Sequence, residues 1–164
     1  MDAKEFKQRY YPFHPRLYRV AYALLNHTED AEDILQEAYC KLWLKRDELT
    51  GIRQPEAFCV TLVKNLCMDF LRASGDRKGR EPEKRPAIPF EVTPESELES
   101  REQVKHIESL IDRLPEKQRI VIQMRGFGDC SLEEIETATG ESAANVRVLL
   151  SRARKTLREM LQKP

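Results

Sequence analysis

The feature that most limits the fold of this chain is a break near its middle. From Ser74 to about Pro94 helical periodicity disappears, Pro, Glu, Lys and Arg dominate, and Pro82, Pro86, Pro89 and Pro94 crowd one short stretch. Proline removes a backbone donor, and a segment this polar buries too little apolar surface to offset the entropy of ordering it. An extended tether is therefore expected at 76–97. What remains of the 164 residues is two short segments, 1–75 and 98–164, whose cores have to be local and helical.

Both segments carry the 3.6-residue period, and neither shows strand-like alternation. In the first, Leu17, Val20, Ala21 and Leu24 share a helix face, and a second stripe runs through Ala31, Ile34, Leu35, Ala38 and Leu42. Thr28 is the expected N-cap of that second helix, with Glu29 and Asp30 in its first turn. Pro55 opens a third helix that runs to about Arg72. In the second segment, helices are expected from Leu98 to Leu114 and after Pro115, where Ile120, Val121 and Met124 recur. Ser131 with Glu134 reads as a capping box, Gly140 as a stop, and Ser142 as the cap of a last helix striped by Val146, Leu149, Leu150, Ala153, Leu157 and Leu161. A short helix, a glycine turn and a longer basic helix form the layout of a helix-turn-helix. The expected fold class is all-α, two small helical domains on a flexible linker.

Net charge is zero, which by itself argues against a partner as acidic as nucleic acid. The distribution argues the other way. From Asn26 to Glu48 the acids Glu29, Asp30, Glu32, Asp33, Glu37, Asp47 and Glu48 face only Lys41, Lys45 and Arg46. From Ser142 onward Arg147, Arg152, Arg154, Lys155, Arg158 and Lys163 face only Glu159. One acidic and one basic face suggest two partners of opposite charge.

At about 100° per residue, Arg147, Ser151, Arg154, Lys155 and Arg158 fall on one flank of the last helix, away from its apolar stripe. Ala143, Ala144 and Asn145 are small enough to let the helix start approach base edges, with Arg147 and Arg152 in reach of bases or phosphates. On the third helix Thr61, Lys64, Asn65, Met68 and Arg72 share a side, whereas Phe58, Leu62, Leu66 and Phe70 fall elsewhere. Cys40, Cys59, Cys67 and Cys130 have neither Cys-x-x-Cys spacing nor a histidine nearby, so they read as reduced, mostly buried thiols rather than metal ligands or disulfides. No cofactor is expected. His14, His27 and His106 are scattered, no glycine-rich phosphate loop exists, and an enzyme is not indicated. The chain opens Met-Asp-Ala-Lys-Glu-Phe-Lys without the apolar run of a signal peptide, so a cytoplasmic location is expected.

Read together, these segments resemble a known family. Asp30-Ala31-Glu32-Asp33-Ile34-Leu35-Gln36-Glu37-Ala38-Tyr39 with Leu42-Trp43 resembles region 2.2 of the sigma-70 factors, and Ala57 to Arg72 resembles region 2.4. Leu114-Pro115-Glu116-Lys117-Gln118-Arg119, Asn145-Val146-Arg147 and Ser151-Arg152-Ala153-Arg154-Lys155 resemble region 4, and two domains on a tether match the extracytoplasmic-function group. The resemblance implies a transcription initiation factor that docks Asp33, Gln36, Glu37 and Tyr39 on the beta-prime clamp helices of core RNA polymerase and its region 4 on the beta flap. It further implies that the loop from Asp47 to Gln54, together with Lys64, Asn65 and Arg72, holds the melted minus-ten element. Ala144, Asn145, Arg147, Ser151, Arg152, Arg154 and Lys155 would meet the minus-thirty-five duplex, and an anti-sigma factor is an expected partner. The alternative is a polymerase-independent helix-turn-helix regulator, which would have no use for the acidic helix.

Overall fold

In this computed structural model, residues 1–74 and 108–162 are described. The expected tether at 76–97 and the start of the helix expected from Leu98 lie outside them. The described residues form helices and turns with no strand.

The chain begins with a helix that the apolar pattern does not announce, α1 (Ala3–Tyr10). Asp2 caps it, its carboxylate accepting the Glu5 N–H at 2.8 Å, and Phe6 and Tyr10 turn inward. After a 3-10 turn at Tyr11–Phe13, α2 (His14–Leu25) buries Leu17, Val20, Ala21 and Leu24 as expected. It stops at Asn26, whose φ of 51° is left-handed and whose N–H reaches back to the Tyr22 carbonyl. The next helix, α3 (Thr28–Leu44), buries the whole expected stripe. Its cap is His27 rather than Thr28: the imidazole Nδ1 accepts the Asp30 N–H at 3.3 Å, so Thr28 is already inside the first turn. Asp30 leaves the acidic face, because it is buried.

Pro55 starts α4 (Pro55–Ala73). Its core side is Cys59, Val60, Val63, Leu66, Cys67 and Met68, so the expected polar face loses Met68 to the interior, while Phe58 is partly exposed. In the second segment, residues 108–111 are helical and are followed by α5 (Glu116–Gly126), α6 (Leu132–Thr139) and α7 (Ala143–Gln162). The capping box forms in both directions, with Glu134 N–H to Ser131 Oγ at 3.1 Å and Ser131 N–H to Glu134 Oε1 at 2.9 Å. Gly140 ends α6 with φ 76°, a conformation a Cβ would strain. Ser142 then accepts the Asn145 N–H at 3.1 Å and caps α7. The α7 stripe is buried as far as Leu157, but Leu161 is exposed. Beneath the last turns of α7, Ala153 and Leu157 pack with Leu110, Ile111 and Leu114 in a small separate cluster.

The two halves are docked. α6 lies along α4, α5 touches α2, and one continuous apolar cluster runs from Leu17, Val60 and Val63 to Met124, Ile135 and Val146. Arginines ring this seam. Arg16 binds the Glu56 carboxylate at 3.1 Å, the Glu134 carboxylate, and the Asp129 carbonyl at 3.2 Å. Arg19 donates to the Phe127 carbonyl at 2.9 Å, and Arg72 lies 3.5 Å from Glu116.

Candidate functional site

The acidic face is intact where the stripe leaves it free. On α3, Glu32, Asp33, Gln36 and Glu37 are all exposed, and Glu37 is only loosely paired with Lys41 at 3.9 Å. Tyr39 does not join them. It is half-buried on another side of α3, stacked on His14 and hydrogen-bonded to its Nδ1 at 2.8 Å. Burial pushes its phenol up to about 12, so it stays neutral. With Phe6, Tyr11, Cys40 and Trp43 it lines a shallow apolar groove of about 310 Å³ beside the acidic face. Periodicity gave no sign of this groove, because Ala3, Phe6 and Lys7 of its lining come from α1.

Loop residues Asp47 to Gln54 are braced by another residue that the pattern gave no reason to single out. The Arg9 guanidinium donates to the carbonyls of Leu49, Thr50 and Ile52 at 3.3 to 3.4 Å, and Leu49 is buried. Arg46 lies 3.9 Å over the Trp43 ring at the start of the loop. The loop is held in shape, with its polar residues Glu48, Thr50, Arg53 and Gln54 outward.

On α4, Asn65 and Arg72 are exposed and Lys64 is half-buried, its ammonium donating to Asn65 Oδ1 at 3.3 Å. Burial, followed by the Arg72 charge, pulls the Lys64 pKa down, against weaker support from Glu116 and Asp69. On α7, Ala144, Arg147, Ser151, Arg152, Arg154 and Lys155 are exposed. Arg152 sits about 140° round the helix from Arg147, off the main basic flank. Asn145 is half-buried and donates to Glu141, which also pairs with Lys117 at 3.2 Å, so this side chain braces the turn.

The remaining reactive groups are quiet. Burial raises the Cys59 thiol to about 12 and Cys130 to about 11, and Cys67 is buried as well, as expected for most of the thiols, whereas Cys40 is exposed. Among the described residues no group of His, Cys, Asp and Glu is arranged to hold a metal ion, and no helix is long and apolar enough to cross a membrane.

Exposed acids on α3 and exposed bases on α7 fall inside two separate family matches: residues 10–77 match Sigma-70 region 2, and residues 106–157 match Sigma-70, region 4. The chain belongs to the sigma-70 family. Within it the chain is of the extracytoplasmic-function (ECF) type. It is 31% identical over 150 residues to the RNA polymerase sigma factor SigV of Bacillus subtilis, covering 89% of this chain and 84% of that one. It is 26% identical over 156 residues to the ECF RNA polymerase sigma factor SigW of the same organism, covering 90% and 83%. The RNA polymerase sigma-E factor of Streptomyces coelicolor is 30% identical over 164 residues, covering 98% and 88%. Two solved structures share the fold at a TM-score of 0.68. One is the sigma factor RpoE with the anti-sigma factor NepR from Bartonella quintana, at 24% identity and 98% coverage of both chains. The other is CnrH with the cytosolic domain of CnrY, at 19% identity and 98% and 89% coverage. This sigma factor is accordingly a transcription initiation factor that directs core RNA polymerase to promoters.

Proposed function

We propose that residues 1–75 form the polymerase- and minus-ten-binding domain, 76–97 the linker and 98–164 the minus-thirty-five-binding domain, with Asp33, Gln36 and Glu37 as the polymerase-docking face. The observation that carries this is a row of exposed carboxylates on α3, on a helix whose opposite side is core. A partner bearing basic helices, such as the beta-prime clamp, complements it. Tyr39 contributes through the groove beside this face rather than through the face itself. Asn65 and Arg72, with Lys64 at their edge, supply cations and an amide to the melted minus-ten strand. Ala144, Arg147 and Ser151 face the minus-thirty-five groove, Arg154 and Lys155 meet phosphate farther along, Arg152 reaches the neighbouring backbone, and Asn145 holds the helix start in place. The protein acts in the cytoplasm, carries out no chemical step, and is masked by an anti-sigma factor, as RpoE is bound by NepR.

The test is a core-polymerase binding titration with the Asp33→Lys/Glu37→Lys variant. Both side chains are exposed, so the fold stays intact while affinity falls at least about tenfold, the equivalent of about 1.4 kcal/mol. A folded variant that binds core polymerase like the parent places docking elsewhere.

A further inference from the structure

One side chain of α1 gathers three carbonyls of a single distant loop. Arg9 stands next to Tyr10 and one turn from Phe6, both buried, so the backbone that carries it is fixed by the core. Its head reaches the Asp47 to Gln54 loop, where one amino group donates to the Thr50 carbonyl and the other to those of Leu49 and Ile52. A planar guanidinium can meet three oxygens spread over four residues, whereas an ammonium is a single point. The loop is pinned at other places too. Leu49 is buried, the Thr50 hydroxyl donates to the Asp47 carbonyl at 2.5 Å, and Arg46, at the start of the loop, donates to the Met1 carbonyl at 3.2 Å. With these carbonyls turned to Arg9, the side chains of Glu48, Thr50, Arg53 and Gln54 are exposed. Thr50 and Gln54 carry uncharged donors and acceptors that can tell one base edge from another. The Arg9 bond to Thr50 is exposed and the other two are only partly buried, so water can satisfy these carbonyls in its place. What Arg9 adds is the shape of the loop rather than the survival of the fold.

We propose that Arg9 is a positioning residue for promoter selectivity. It touches no DNA; it holds the backbone of the loop inward so that Thr50 and Gln54 stand in the one arrangement that discriminates a minus-ten base. The proposal rests on the reading of residues 1–75 as the minus-ten-binding domain, with this loop among its DNA contacts as the sigma-70 resemblance implies. Contacts to phosphate tolerate a loose partner, but a base edge is read only when donors and acceptors are held to within about 0.5 Å. Loss of Arg9 therefore acts on selectivity before it acts on binding as such. Arg9 itself precedes residues 10–77, the stretch that matches Sigma-70 region 2.

The experiment uses the full chain assembled with core polymerase. The parent holoenzyme selects a preferred minus-ten sequence from promoter DNA randomised only there, and affinity is then measured on that duplex and on its single-base variants. The ratio of the two affinities is the readout for the parent, Arg9→Gln and Arg9→Lys. Val20→Ala, which opens the core of α2 away from the loop, serves as a stability control. Expected is a ratio about tenfold lower in Arg9→Gln, with part of it restored in Arg9→Lys, while core-polymerase affinity stays parental. Val20→Ala lowers Tm and keeps the ratio. A parental ratio in folded Arg9→Gln, or an equal loss on all duplexes, overturns the proposal and leaves Arg9 a purely structural residue. Thr50→Ala and Gln54→Ala separate this from failure of the underlying reading. If they lower the ratio and Arg9→Gln does not, the loop reads DNA and only the role of Arg9 falls. If none of the variants changes the ratio, the loop is not a minus-ten contact and both fall. Should Arg9→Gln lose helicity by circular dichroism, Arg9→Lys alone has to show the lower ratio, and a parental value there counts against the proposal.

Discussion

Glu134→Ala is the perturbation that best probes how the second domain is built and docked. The substitution removes the acceptor of the Ser131 N–H at 2.9 Å and the partner of Arg16, and it leaves the apolar side of α6 untouched. The lost capping bond is worth about 0.5–1.5 kcal/mol. Side-chain exposure of the Arg16 and Glu134 pair is 29% and 16%, so its charge is only partly screened and contributes about 0.5–1 kcal/mol. Together the loss is about 1–2.5 kcal/mol, or roughly 2–10 °C in Tm for a chain of this size. Urea and thermal denaturation followed at 222 nm measure it. Ser131→Ala isolates the reciprocal cap at about 1 kcal/mol. Arg16→Ala isolates the pairing, and the Arg16/Glu134 double-mutant cycle gives their coupling. A cycle with zero coupling energy, or a Glu134→Ala cost no larger than that of Ser131→Ala, would refute the idea that one carboxylate serves both the cap and the seam.

The same carboxylate predicts an acid response. Burial raises the Glu134 pKa, but the Ser131 backbone and hydroxyl and the Arg16 guanidinium outweigh it and leave the pKa below 4.5. Its stabilisation is therefore complete above pH 4.5 and lost as pH falls through the lower folded value, so the difference in Tm between parent and Glu134→Gln shrinks on acidification below pH 4.5; a constant difference contradicts this. Gly140→Ala costs about 1–2 kcal/mol because φ is 76° and no neighbour prevents a Cβ by contact, whereas Gly140→Asn, which tolerates this conformation, costs less; equal costs in urea denaturation would point away from backbone strain. In the holoenzyme, Arg147→Ala loses about 1–3 kcal/mol on the preferred minus-thirty-five duplex and much less on a scrambled one, whereas Lys155→Ala weakens both alike and lowers the salt slope by about one; titration of both variants on both duplexes at several salt concentrations decides, and the reverse pattern removes α7 from the groove.

Local rules made much of this protein legible from its residues. The stripes of α2, α3 and α7, the capping box at Ser131, the stop at Gly140 and the proline start of α4 each depend on neighbours three or four positions away, so the chain carries them without reference to anything distant. The exposed acids of α3 and bases of α7 followed from the same periodicity, since a helix with one side in the core must turn the other to solvent. Where long-range packing decided, the pattern was silent or misleading. Tyr39 lies in a residue run that resembles the docking motif, but α1 and His14 draw it into the groove. Met68 sits at a spacing that matches Lys64, yet the cluster against the second half buries it. Cap identity at His27 turned on which side chain reached the Asp30 N–H, a choice made by rotamer and contact rather than by propensity. Above all, the seam joins Arg16 to Glu134 and Arg72 to Glu116 across large gaps in sequence, and ion pairs between distant residues leave no periodic trace. Residue order was sufficient to determine α2 to α7 and most of their charged faces, because those are properties of one helix at a time. Which of those faces are covered depends on how the two halves meet, and only the tertiary structure decides that.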